Sequence, residues 1–272
     1  MKGQISRLHP IPPGDENKWF EFADELYGVG VELFAHAQID VTEKRFAEPK
    51  ILGLGLLCRT LSNFKGAVAV AKCGLVVEAR ILTRACFENS FLVAGLAEKG
   101  DAFVKAMYAD DVKGIRARGE FLLDKVASPE ELTHAFAGQL RDNLAAMKKN
   151  FPNARYLNPK EVAGQSVIEK SYLLYSLLSS DAAHPTITAL KRHLVVGIED
   201  GQQVYGLDVA PVLRANAIAD TVNLACNAVI GVIVGANQMI QVEELAPQIA
   251  KIFHDYEALI GVVNPIDVAA RK

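Results

Sequence analysis

The stretch Cys73 to Ala97 reads CGLVVEARILTRACFENSFLVAGLA. Wrapped at roughly 100° per residue, Leu75, Val76, Val77, Ile81, Leu82, Phe87, Phe91, Leu92, Val93 and Leu96 cover almost the whole circumference. A helix apolar on nearly every side belongs in the middle of a bundle. Arg80, Arg84 and Glu88 fall on one stripe of it, each four residues from the next. A buried charge must be paired or it destabilises the fold, so these side chains require partners inside the protein. They define a polar centre in a hydrophobic chain.

Helices extend to both sides of this segment. Trp19, Phe22, Leu26, Val29 and Leu33 recur at spacings of three and four, which predicts an amphipathic helix over 16–39. A second is expected over 49–72, with Pro49 in its first turn. The buried helix ends near Gly100. A fourth starts at Asp101, with Val104, Tyr108, Val112, Ile115 and Leu122 on one face. Ser128-Pro129-Glu130-Glu131 offers an N-cap serine, a proline at N1 and a glutamate at N3 for a fifth. Asn158-Pro159-Lys160-Glu161 repeats that logic over a short turn, and a sixth helix is expected over 167–180. Asp200-Gly201 between His193–Val196 and Val204–Leu207 signals a small β-hairpin near 193–207. Pro211 opens a long seventh helix to about 241, and an eighth runs over 242–259. The fold expected is all-α: one bundle of about eight helices over 15–272, preceded by an extended, proline-rich segment at 1–14.

Composition narrows the function classes. Half of the 272 residues are hydrophobic, enough for a sizeable core, and the net charge of -3 argues against a broad nucleic-acid-binding surface. The closest basic runs are Lys148-Lys149 and Lys191-Arg192-His193, so a local site for RNA stays open. Cys58, Cys73, Cys86 and Cys226 lie in apolar helical stretches without CxxC spacing, which reads as buried free thiols in a reducing cytoplasm. The N-terminus has no apolar core of the signal-peptide kind. Thr221 to Ile240 is as long as a membrane span, yet it carries Asn223, Asn227, Asn237 and Gln238. Gly231 and Gly235 form a GxxxG there, which permits close helix contact. The expectation is a core helix or a homodimer face, and no membrane partner.

The second segment of interest is Tyr172 to Thr186, YLLYSLLSSDAAHPT. Tyr172, Tyr175, Ser179, Ser180, Asp181 and His184 gather where a helix ends, and Pro185 keeps His184 out of the helical region. Two readings stand. In one, Glu88 orients His184, Arg84 presents a cation, and tyrosine and serine hydroxyls complete a small site, with Arg80 beside it. In the other, Arg84 bonded to Glu88 and to open carbonyls forms a structural staple, because buried polar networks specify packing without doing chemistry.

Arg84-Ala-Cys-Phe-Glu88, followed by Tyr175-Ser-Leu-Leu-Ser179-Ser-Asp-Ala-Ala-His184-Pro185, resembles a family of bacterial helical proteins classed as a domain of unknown function. That family looks like a distant relative of the HEPN (higher eukaryotes and prokaryotes nucleotide-binding) bundles. The resemblance implies a helical fold and a place in bacterial stress or phage defence, where some members cleave RNA. The RNase branch uses Arg-x(4–6)-His, whose histidine and arginine serve the 2′-hydroxyl attack and the phosphate charge. This chain departs from that pattern. The residues before His184 are Leu177 to Ala183, with no arginine, and the arginine nearest His193 is the adjacent Arg192.

Metal chemistry has thin support. Di-iron bundles use two Glu-x-x-His pairs, and this chain has one, Glu131-Leu-Thr-His134. Glu32 and His36 read as a surface pair. No Walker loop, no GxGxxG after a strand and no GxSxG elbow is present. No cofactor or metal is therefore expected. The leading expectation is a binding or interaction protein that forms homo-oligomers, with Arg84, Glu88 and His184 as candidate catalytic residues if there is a reaction. An RNA-cleaving or nucleotide-handling enzyme is the first alternative. A receptor for a small anionic molecule anchored by Arg84 is the second.

Overall fold

The computed structural model describes residues 16–40, 42–126, 134–180, 186–209, 214 and 216–261. Among them are ten α-helices and one two-stranded sheet. In chain order these are α1 (Glu16–His36), α2 (Pro49–Lys72), α3 (Val76–Lys99), α4 (Asp101–Phe121), α5 (His134–Asn150), α6 (Pro159–Ala163), α7 (Ser171–Leu178) and α8 (Ile187–Leu190). The hairpin β1 (Leu194–Glu199) and β2 (Gln202–Leu207) follows, then α9 (Ala217–Ile240) and α10 (Ala246–Leu259). The fold is all-α with a small hairpin, as the periodicity predicts. The extended segment at 1–14 and the serine cap at Ser128 fall outside the described residues.

The core lies where α3 packs between α2 and α9, with α1 closing the other side of α2 and α9. Trp19, Phe22, Leu26, Val29 and Leu33 are all buried, so the stripe read on α1 is the face it turns to the core. On α3, Phe87 and Phe91 are shut off from solvent, each contributing about 1.5–3 kcal/mol of apolar burial. A buried polar strap joins α2 to α3: Asn89 Nδ2 donates to Thr60 Oγ1 at 3.0 Å, and Thr60 Oγ1 donates to the Leu56 carbonyl at 2.7 Å. This satisfies both groups in a site without water access.

The structure corrects the reading of α3 as buried all round. Its first half is an ordinary amphipathic helix: Val76, Ala79 and Thr83 face the core, while Leu75 and Ile81 are 48% and 45% exposed. The connection from α2 is short, so α3 begins at the end of the bundle, where its neighbours cover only part of it. From Cys86 to Leu96 most of the circumference is covered, with Glu88 and Leu92 only partly buried. Three smaller differences follow the same logic. Val167 stands 92% exposed in a turn, and α7 begins only at Ser171. Tyr108 is exposed because α4 buries chiefly Phe103 and Val104 at its start. Cys86 and Cys226 are buried thiols, but Cys58 and Cys73 are exposed.

α9 is long and apolar enough to cross a membrane by length and composition, and most of it is buried against α1, α2 and α3. Its polar residues have local work. Asn223 Oδ1 accepts from Tyr256 Oη at 2.8 Å, and Asn227 Nδ2 donates to the same oxygen at 3.2 Å, fastening α10. Burial pushes the Tyr256 phenol up to about 12. Asn237 Oδ1 accepts from the Val242 amide at 3.1 Å beyond the helix end.

The Asp-Gly signal is realised as a two-residue turn. Asp200 and Gly201 have φ of +50° and +77°, the left-handed pair that matches strand twist, and β1 pairs with β2 from Leu194↔Leu207 to Glu199↔Gln202.

The GxxxG of α9 serves packing inside the protomer. A Cβ on Gly235 would lie 2.6 Å from Val93 Cγ1 of α3. Gly235→Val should therefore overpack the α3–α9 seam and cost about 1–3 kcal/mol. Gly55 on α2 has open space around its missing Cβ, so Gly55→Ala should instead stabilise by about 0.5–1 kcal/mol. Urea unfolding of the two variants checks both signs.

Candidate functional site

The row Arg80, Arg84, Glu88 emerges on the side of α3 that meets α7 and the first turn of α9. Four-residue spacing places the three side chains one turn apart. Arg84 Nε donates to Ser179 Oγ at 2.9 Å. Its Nη2 donates to Tyr175 Oη at 2.9 Å and pairs with Glu88 Oε1 at 2.8 Å. Tyr175 Oη in turn donates to Glu88 Oε1 at 3.1 Å. The result is a closed loop of charge-assisted bonds across α3 and α7.

Tyr175 also anchors α7 through its ring, which meets Phe91 edge-on with centroids 5.6 Å apart. The Arg84 guanidinium carbon is 5.1 Å from the same ring centroid. The network is not sealed. The Arg84 side chain is 25% exposed and that of Glu88 36%. The polar centre therefore reaches solvent, and α7 docks on α3 without the full desolvation cost of a buried ion pair.

The remaining predicted residues divide. Tyr172 lies against Tyr175 with ring centroids 5.8 Å apart and planes tilted by 37°, and is half-buried. Ser180 is exposed, and its hydroxyl donates back to the Leu177 carbonyl at 3.0 Å, outside the Arg84 loop. Asp181 and His184 lie outside the described residues. His36 Nδ1 contacts the Glu32 carbonyl oxygen at 2.9 Å, on the surface and not through the carboxylate. Among the described residues no group of three or more histidine, cysteine, aspartate or glutamate side chains is placed to hold a metal ion. A groove of about 500 Å³ opens beside α1 and α2, lined by Tyr27, Phe34, Cys58 and Lys65 among others, and shares no residue with the cluster.

Arg80 leads to a feature that sequence reasoning missed. Its Nε donates to Thr221 Oγ1 of α9 at 3.0 Å. Burial lowers the Arg80 pKa, with Asp220 opposing that shift and Arg214 adding to it. Arg192, in the turn before β1, is lowered by burial and by Arg80 and Arg214. Burial raises the Asp220 carboxyl, while Arg80 and Arg214 pull it down. Arg80, Arg192 and Arg214, from α3, the hairpin base and the approach to α9, thus lie within one another's electrostatic reach, and Asp220 lies within that of Arg80 and Arg214. Their spacing in sequence, more than a hundred residues from Arg80 to either partner, hides this. Only the basic run Lys191-Arg192-His193 hinted at it.

The fold and site define an all-helical protein with a solvent-reaching polar seam along its central helix. The family model described as Family of unknown function (DUF5677) matches residues 50–203, more than half of the chain, and the chain belongs to that family. The matched span holds α2, α3, α7 and the hairpin turn, and ends before α9. No curated protein and no solved structure matches the chain.

If the Arg84 loop is what docks α7, removing the cation leaves Glu88 and Tyr175 without their shared partner. Arg84→Ala should cost about 2 kcal/mol, below the 3–5 of a sealed pair because water can reach the site. Glu88→Gln keeps an acceptor for Tyr175 and should cost less than half as much. Chemical denaturation gives both values, and equal losses in the two variants would contradict the assignment.

Proposed function

We propose that this protein binds a small anionic ligand, of the phosphate or sulfate class, at the junction of α3, the hairpin base and the start of α9. What supports the reading is that Arg80, Arg192 and Arg214, from three separate elements, lie within electrostatic reach of one another, with Asp220 near Arg80 and Arg214, and that Arg214 is exposed. Cations held in mutual proximity are costly, and an anion relieves that cost. Guanidinium groups suit the task because they stay charged and present forked donors to oxyanions. Arg84 is committed to Glu88, Tyr175 and Ser179, so the anion-anchor role moves from Arg84 to its neighbour Arg80.

The kinship with HEPN bundles and a role in bacterial stress or defence belong to the same proposal, supported by the Arg84–Glu88 and Tyr175–Pro185 motifs. A cytoplasmic setting is supported by Cys58 and Cys73, which stand exposed as thiols and which a reducing compartment would preserve.

Titration calorimetry tests the binding reading with inorganic phosphate and sulfate as probes. Arg214 is exposed, so Arg214→Ala should keep the fold and weaken binding by about ten-fold. No binding of either probe to the wild type would overturn the proposal, and a short RNA that binds and is cut would favour the enzyme reading.

The pH dependence has a definite sign. Burial holds the Asp220 proton to higher pH in the folded protein than in the unfolded chain. Its contribution to stability therefore falls as pH rises through that titration. Protonation also removes a carboxylate that competes with the ligand. Sulfate affinity, whose probe charge is constant, should increase as pH is lowered through this range. Asp220→Asn should tighten sulfate binding at neutral pH and flatten the profile.

A further inference from the structure

The outer seam of α1 and α2 carries one arrangement twice, seven residues apart on each helix, and the second instance lacks a part. Lys72 Nζ lies 5.1 Å from the Phe20 ring centroid and pairs with Asp24 at 3.6 Å. Two turns back along α2, Lys65 Nζ lies 5.4 Å from the Tyr27 ring centroid. Asp24 stands four residues after Phe20, but the position four residues after Tyr27 is Val31. Lys65 thus has its aromatic platform and, among the described residues, no carboxylate partner. The groove of about 500 Å³ opens at this point. Leu61 is buried at its floor, while Val31 and Phe34 line it at 41% and 49% exposure. Lys65 is its one charged lining residue, and Glu32, beside Val31 in sequence, does not line it.

A cation over a ring is held in place but not neutralised. A concave apolar surface with one orienting charge is the form that small-molecule sites take. Charge complementarity here calls for a single negative group, and the lining calls for an apolar body behind it. Lys65 and Cys58, both on the α2 side of the groove, are separated by seven residues. At the helical rise that is about 10 Å, roughly the length of an eight-carbon chain. We propose that the groove binds a medium-chain carboxylate, with its head on Lys65 and its tail along Val31, Leu61 and Phe34 toward Cys58. The ligand supplies the carboxylate that Asp24 supplies to Lys72. Its tail covers apolar side chains that the protomer leaves in water. None of the cluster arginines lines this groove, so the two sites stand or fall separately.

Thiol alkylation of the full chain, with octanoate as the probe, tests this. Cys58 and Cys73 are both exposed thiols, but only Cys58 lines the groove, so Cys73 is the internal reference. Octanoate at about 5 mM should slow alkylation of Cys58 at least about three-fold and leave Cys73 unchanged. Octylammonium, the same chain with the opposite charge, should give no protection at that concentration. Lys65→Met removes the charge and keeps an apolar stem, and should weaken octanoate binding about ten-fold. Val31→Asp gives Lys65 the internal partner that Lys72 has, and should weaken it by a similar factor. Both side chains are exposed, so helix content should not change. Failure of octanoate to protect Cys58 overturns the proposal. So does equal protection by octylammonium, or protection that survives either substitution undiminished.

Discussion

The fold depends on the close seating of α3 against α9. Gly235 lets Val93 approach the α9 backbone, and α3 packs besides on α2, α4, α6 and α7. Once α3 is fixed there, the azimuth of its charged row is fixed too. Arg80 must reach the first turn of α9, and Arg84 and Glu88 must meet α7. The hydrophobic interior thus decides which polar groups come together at its edge. It also explains why the row survives on so apolar a helix: the charges exit along a seam that water still reaches, where pairing is cheap.

Two arginines one turn apart consequently have different fates. Arg84 is consumed by partners on its own helix and on α7, so its charge holds the fold. Arg80 donates to Thr221 and lies within electrostatic reach of Arg192, Arg214 and Asp220, so an incoming anion there would meet several cations at once. The pair illustrates why a buried cation cannot be assigned a role from its residue type.

Elements whose signal is local were legible in the sequence. The α1 stripe, the Asp200-Gly201 turn, the Asn158 cap and the Gly231–Gly235 seam all depend on residues within a few positions of each other, and the structure places them as read. The Arg84–Glu88 pairing and its link to Tyr175 and Ser179 were also within reach, since one helix stripe and one helix end carry them. Other features depend on neighbours distant in sequence. The exposure of Leu75 and Ile81 reflects where α2 and α9 stop covering α3, which no periodicity in α3 reveals. Arg80, Arg192, Arg214 and Asp220 come from three separate elements, and no local pattern in the sequence links them.

The central claim is that anion binding engages the Arg80 cluster while Arg84 stays with its protein partners. Nitrogen-15 NMR of the arginine Nε–H groups during a phosphate titration tests it most directly. The account predicts that the Nε signals of Arg80, Arg192 and Arg214 shift with a common affinity while that of Arg84 stays in place, held by Ser179. Movement of the Arg84 signal without the other three would contradict it, as would a titration in which no arginine signal moves.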